Sequence, residues 1–233
     1  MSSIQLEAVK QHIKQAALTY NRPLEQIRLI GVTKGQPASQ LIAAHQAGLN
    51  DFAESYWQEA QDKITSLHKL PIIWHFIGPI QSNKAQAIAI HFDWIHSVDR
   101  KKIAGLLSKY RPTDAPPLQV LIQVNLDRET SKAGVSIDEV APLADYIDSL
   151  PQLQLRGLMT IPAAREGEES QYHSFLRLSD LLCSLNAQRT QKPLDTLSMG
   201  MSGDYVAAIR AGSTMLRIGE AIFGKRLFRN KMS

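Results

Sequence analysis

Apolar positions along this chain recur with two alternating periods. Leu6, Val9, Ile13, Ala16, Ala17 and Tyr20 fall on one face at helical spacing, so the chain begins with an amphipathic helix. A short unbroken run follows, Ile27-Arg28-Leu29-Ile30-Gly31-Val32, and it ends in the Gly/Pro-containing loop Thr33-Lys34-Gly35-Gln36-Pro37, as a buried strand does. The same spacing predicts helices over 39–47, 57–67, 100–109, 138–149 and 168–186, another starting near 202, and a final helical stretch over 220–227. Between them, strands are predicted over 50–54, 72–77, 93–97, 118–125, 153–161, 194–198 and 214–218. About eight near-continuous apolar strands alternating with helices imply parallel pairing with both faces covered. In a little over 200 residues this fits a single α/β domain, a (β/α)8 TIM barrel with an extra N-terminal helix; an open doubly wound sheet is the alternative.

Composition narrows the classes. At 233 residues and 44% hydrophobic content the chain can bury one sizeable core, and the Pro-rich stretch 111–117 is too short to separate domains. No stretch approaches the ~20 consecutive apolar residues of a membrane span. The polar, mixed-charge N-terminus is unlike a secretion signal, so a soluble cytoplasmic protein is expected. Cys183 is the sole cysteine and excludes an intrachain disulfide; its neighbours Leu178, Leu181, Leu182 and Leu185 suggest a small core or half-buried residue. The net charge of +4 is scattered, without polybasic runs or interleaved aromatics, so no nucleic-acid partner is expected. The histidines lack metal-site spacing.

A barrel makes a specific demand, because its chemistry gathers in the loops after the strands' C-terminal ends. Those ends supply Lys34, then Glu54-Ser55-Tyr56, Gly78 to Lys84, Asn125, Met159-Thr160, Ser198 to Ser202, and Arg217 to Glu220. Lys34 has two readings. It is either a strand-end lysine that snorkels into water, or an amine held near the low-dielectric interior, where it can be neutral and attack a carbonyl. The two late glycine-containing loops either shape tight turns or, as in other barrels, let backbone N–H groups approach a phosphate, with the Ser198 hydroxyl as a further donor. The stretch Gly219 to Lys225 imitates a P-loop core, but Arg226 stands where Ser or Thr is needed.

A phosphate pocket and a strand-end lysine on one barrel mouth suit a cofactor with a phosphate and an aldehyde, as in pyridoxal 5′-phosphate (PLP). The segments Val32-Thr33-Lys34, Glu54 with Tyr56, Gln58 and Glu59, and His75-Phe76-Ile77-Gly78-Pro79-Ile80-Gln81-Ser82-Asn83-Lys84 resemble the YggS/PROSC family of PLP homeostasis proteins. So do Val124-Asn125 with Ser131-Lys132-Ala133-Gly134, Gly157 to Pro162, Ser198-Met199-Gly200-Met201-Ser202, and the long run from Gly212 to Gly224. That family is similar to the barrel domain of bacterial alanine racemases, PLP fold type III, and the likeness covers nearly the whole chain.

The resemblance implies that Lys34 carries PLP as a Schiff base, that Ser198 and the backbone amides of Gly200, Gly219 and Glu220 hold its phosphate, and that Arg217 faces the pyridine nitrogen. The resemblance also carries a cofactor contact over to Ser55, but where relatives have Gly-Glu-Asn-Tyr this chain has Ala53-Glu54-Ser55-Tyr56, a departure that counts against that contact. Glu220 replaces a common Thr, and its carboxylate is expected to turn away from the phosphate. An arginine at the ring nitrogen leaves that nitrogen unprotonated and the ring a poorer electron sink. Related racemases take a second base, a tyrosine, from a further domain of a partner subunit. That base is expected to be missing here, with Tyr56, Tyr205 and His75 as the remaining candidates. The implied protein is a cytoplasmic monomer in PLP homeostasis, without robust catalysis, with PLP-dependent apo-enzymes as recipients. A low-activity racemase or other fold type III enzyme, and a purely structural or nucleic-acid-binding barrel, are the competing classes.

Overall fold

The unbroken apolar runs become parallel strands, because each must bury both faces and only a sheet wrapped in helices allows that. The computed structural model describes residues 2–127, 129, 133–189 and 192–225. Helix α1 (Ser2–Thr19) precedes β1 (Arg28–Val32), and the chain continues through α2 (Ala38–Gln46), β2 (Asp51–Glu54), α3 (Trp57–Ser66), β3 (Ile73–Phe76), α4 (Ala85–His91) and β4 (Trp94–Val98). Then come α5 (Lys101–Tyr110), β5 (Leu118–Gln123), α6 (Ile137–Asp148), β6 (Leu153–Met159), α7 (Glu168–Asn186), β7 (Thr196–Ser198), α8 (Tyr205–Arg210), β8 (Met215–Ile218) and α9 (Glu220–Phe223). Neighbouring strands pair in sequence order, and β8 returns to β1 with Ile30 opposite Arg217, which closes the barrel.

Alternation along each strand sorts its side chains between two cores. Ile30, Ala53, Trp94, Leu121, Met159 and Met215 meet inside the barrel. Phe52, Phe76, Ile95, Ile122, Leu197 and Leu216 face outward and pack under the helices. The amphipathic α1 lays Leu6, Val9 and Ile13 into this outer core against α2, α8 and α9, and Lys10 Nζ ties it to the Ala47 carbonyl at 2.7 Å.

The structure departs from the sequence reading at four places. Helix α4 had no periodic signal, because seven mostly apolar residues complete too few turns to show one. The helix expected near 202 starts at Tyr205, since the Asp204 carboxylate accepts from Met201 N at 2.6 Å and holds the preceding residues in a turn. Cys183 is exposed rather than half-buried, because α7 turns Leu178 and Leu182 inward and Cys183 to solvent. Of the expected final stretch, Glu220–Phe223 is helical; Arg226 onward, like Ser131 and Lys132, lies outside the described residues.

Candidate functional site

Lys34 lies just past β1, half-buried, with the same strand parity as Ile30 and Val32 and so on the barrel's inner side. Its neighbour Thr33 takes the opposite side and is fully buried. Behind the loop sits a compact polar cluster. Lys63 of α3 donates to the Thr33 carbonyl at 2.7 Å, to Glu54 Oε1 at 2.6 Å and to Glu59 Oε1 at 2.7 Å. Thr33 Oγ1 donates to Glu54 at 2.5 Å, and Gly35 N donates to Glu59 at 2.6 Å. The backbone on both sides of Lys34 is thus pinned to α3 by charge-assisted bonds. Burial pushes the Glu54 carboxyl above its usual range, opposed by the ammonium of Lys63 and the Thr33 hydroxyl.

Arg217, on the inner side of β8, is almost wholly buried. It donates to Ser198 Oγ at 2.6 Å and to the Thr160 carbonyl at 2.9 Å. Burial lowers its pKa to about 10, so the guanidinium remains charged at neutral pH. Ser198 Oγ lies 2.8 Å from His96 Nδ1, His96 Nε2 lies 3.0 Å from His75 Nδ1, and His75 Nε2 lies 2.8 Å from Asp51 Oδ1. Burial lowers the pKa of both imidazoles, that of His96 well below its ordinary value.

These distances place the expected residues in three groups. Lys34, Gly219 and Glu220 line one cavity together with Val32, Gln36 and Gly224. At about 70 Å³ it has the size of a phosphate-sized group rather than of a whole cofactor. Gly219 runs so close to β1 that a Cβ there would stand 3.2 Å from the Val32 carbonyl oxygen. Ser198, Gly200 and Arg217 form the second group, with Arg217 N donating to the Gly200 carbonyl at 3.0 Å. Gly200 has φ +96°, and a Cβ would come within 2.6 Å of the Ala208 Cβ, so only glycine fits. Ser55 belongs to a third place, a cavity of about 330 Å³ shared with Tyr56, Gln81 and Lys84.

Two expected contacts lie apart from the Lys34 cavity, Ser55 in its own cavity and Ser198 deeper in the barrel. The Ser198 hydroxyl is fully buried between Arg217 and His96 and is not offered to the glycine loops. The hydroxyl beside the β8 loop is that of Ser202, which accepts from Ala221 N at 3.3 Å. Glu220 is exposed and stands at the rim of the Lys34 cavity. Of the candidate second bases, His75 has both ring nitrogens engaged deep in the barrel.

Asp51, His96 and Lys63 escaped the sequence reading, although each left a trace. His96 is a polar residue two positions after Trp94 on an inner strand face, and Lys63 follows Glu59 by one helical turn.

A strand-end lysine, a glycine loop after β8 and a buried arginine on that strand, all on one parallel barrel, define a barrel of the alanine racemase type. The chain belongs to the alanine racemase N-terminal domain family, whose model matches residues 4–226. It is 50% identical over 232 residues to a pyridoxal phosphate homeostasis protein of Vibrio alginolyticus, covering 97% of this chain and 99% of that one. A protein of the same description from Escherichia coli is 46% identical over 231 residues, covering 97% of each. Among solved structures, PipY of Synechococcus elongatus with PLP bound is 32% identical, with a TM-score of 0.84, over 96% of this chain and 100% of that one. The resemblance to the YggS/PROSC family is therefore borne out. Alanine racemase from Corynebacterium glutamicum is 15% identical, with a TM-score of 0.71, over 96% of this chain and 62% of its own; it shares the fold.

Proposed function

We propose that this chain binds PLP and acts in intracellular PLP homeostasis, holding the cofactor on Lys34 and storing or delivering it rather than turning over a substrate. The observation that carries the reading is the shared cavity of Lys34, Gly219 and Glu220, with the charged Arg217 on the adjoining strand. An amine, a close-approach glycine loop and a buried cation match the aldehyde, the phosphate and the ring nitrogen of PLP. Relatives described as PLP homeostasis proteins and the PLP-bound PipY support the same choice of cofactor.

Each residue has a separate task. Lys34, half-buried at the end of β1, would hold PLP through its aldehyde, its amine being the nucleophile there. The backbone amides of Gly219 and Glu220, with the hydroxyl of Ser202, take the phosphate. Arg217, charged and fixed by Ser198 and the Thr160 carbonyl, would face the ring nitrogen as a donor. When bound, PLP supplies an electron sink, and that arrangement weakens it. Weak sink and covalent retention together suit a cytoplasmic, monomeric carrier whose recipients are PLP-dependent apo-enzymes.

The purified protein is expected to absorb near the visible edge. Borohydride should fix the cofactor on the peptide containing Lys34, and Lys34→Ala should lose both signals. An unmodified Lys34 after trapping, with no added PLP taken up, would overturn the binding reading. Amino acids incubated with the protein in deuterated water should keep their α-protons; robust exchange that depends on Lys34 would reject the non-catalytic part alone.

A further inference from the structure

A hydrogen-bonded thread crosses the barrel interior from Asp51 on β2 through His75, His96 and Ser198 to Arg217 on β8. Its two ends determine its direction, since a carboxylate only accepts and a guanidinium only donates. His75 therefore gives its Nε2 proton to Asp51, and a neutral His75 must accept at Nδ1. That acceptor requires the Nε2 proton of His96, whose own Nδ1 then accepts from the Ser198 hydroxyl. The Ser198 oxygen is left to accept from Arg217, so every proton points toward Asp51. The low pKa values that burial imposes on both imidazoles agree with this neutral arrangement.

We propose that Asp51, His75 and His96 are positioning residues, which hold Ser198 and Arg217 in the geometry that receives the PLP ring nitrogen; this rests on the PLP reading above. Two features of the molecule carry the idea. Barrel interiors are ordinarily filled by branched apolar side chains, whereas β3, β4, β7 and β8 here spend inner positions on His75, His96, Ser198 and Arg217, all of them buried. Such groups are costly unless paired, and the thread pairs them in a continuous series. In addition, the described hydrogen-bond partners of the Arg217 side chain, Ser198 Oγ and the Thr160 carbonyl, are neutral. Asp204 acts on the cation through space, and among the described residues the thread is what links it to a carboxylate by hydrogen bonds, its members polarising one another in the same sense. His75 is also held against Trp94, stacked at 5.9 Å between centroids with 16° between planes, so the ring nitrogens have a fixed aim.

The first test uses cofactor-free protein with 15N-labelled histidine, whose long-range 1H–15N spectrum distinguishes tautomers. Both His75 and His96 are expected as neutral Nε2–H forms at neutral pH; an Nδ1–H or doubly protonated ring at either position would overturn the thread's direction. The second test is PLP affinity by absorbance titration. Asp51→Asn keeps an acceptor but removes the charge, and is expected to weaken PLP binding about threefold. His96→Phe breaks the series and should weaken it about tenfold, the scale of one lost buried hydrogen bond. Unchanged affinity in Asp51→Asn would sink the positioning role, and this variant decides the matter if His96→Phe fails to fold. If the wild-type protein takes up no PLP, the cofactor reading fails instead, and the tautomers still judge the thread.

Discussion

Lys63 carries more of the local structure than its place on an outer helix suggests. Its side chain is only 7% exposed and its ammonium meets two carboxylates and a carbonyl directly behind the Lys34 loop. Glu54 is wholly buried, and its Oε2 has no hydrogen-bond partner among the described residues. Removing the cation leaves a buried carboxylate uncompensated, which costs much more than the pair contributes as a whole. Lys63→Met is therefore expected to lower unfolding free energy by about 3–5 kcal/mol in urea titration, and adding Glu54→Gln should restore a large part of it. A loss under about 1 kcal/mol for the single change would contradict the pairing, since surface-like residues cost that little.

At the scale of elements, α1 and the glycine-bearing loops do different work. Helix α1 packs on the outside of the barrel against α2, α8 and the four-residue α9. Leu6 is its deepest residue, with no exposed surface, while Gln5 beside it faces solvent. Leu6→Ala should cost about 2–5 kcal/mol in denaturant unfolding, through lost transfer energy and the cavity left behind. Gln5→Ala should stay within about 0.5 kcal/mol, and equal effects from the two would mean α1 does not pack as described. The loops work by close approach instead. Gly78 sits against the Ser55 carbonyl oxygen, which a Cβ would meet at 1.9 Å, so the β2 and β3 loops can pack only with glycine there.

For the whole molecule, the polar thread ties stability to pH. His75 and His96 have pKa values below 6.5 in the fold, through burial first, with Asp51 opposing the shift at His75 and Arg217 adding to it at His96. In the unfolded chain both titrate near 6.5. Below that value the unfolded state binds protons that the fold excludes, so this stability is full above pH 6.5 and is lost as pH falls toward the depressed values. Each histidine adds a slope of at most about 1.4 kcal/mol per pH unit in that window. Urea midpoints between pH 8 and pH 5 should therefore fall, and His96→Gln should show a shallower fall than the wild type. Identical slopes in both proteins would mean that His96 is not held neutral in the fold.

Local pattern alone sets the alternation of strands and helices, the amphipathic α1, and the placing of Lys34 and Arg217 on C-terminal strand ends. These follow from spacing, because periods of two and 3.6 assign each residue to a face before any partner is known. Helix α4 was not legible, being too short to repeat. The facing of Cys183, the separation of Ser55 from the Lys34 cavity, and the engagement of Ser198 with His96 arise from the packing of the closed barrel. Strand parity can direct His96 and Ser198 inward, but these two are 102 residues apart in sequence. Whether they meet depends on how the closed sheet is sheared and tilted, a property of all its strands together that no local pattern encodes.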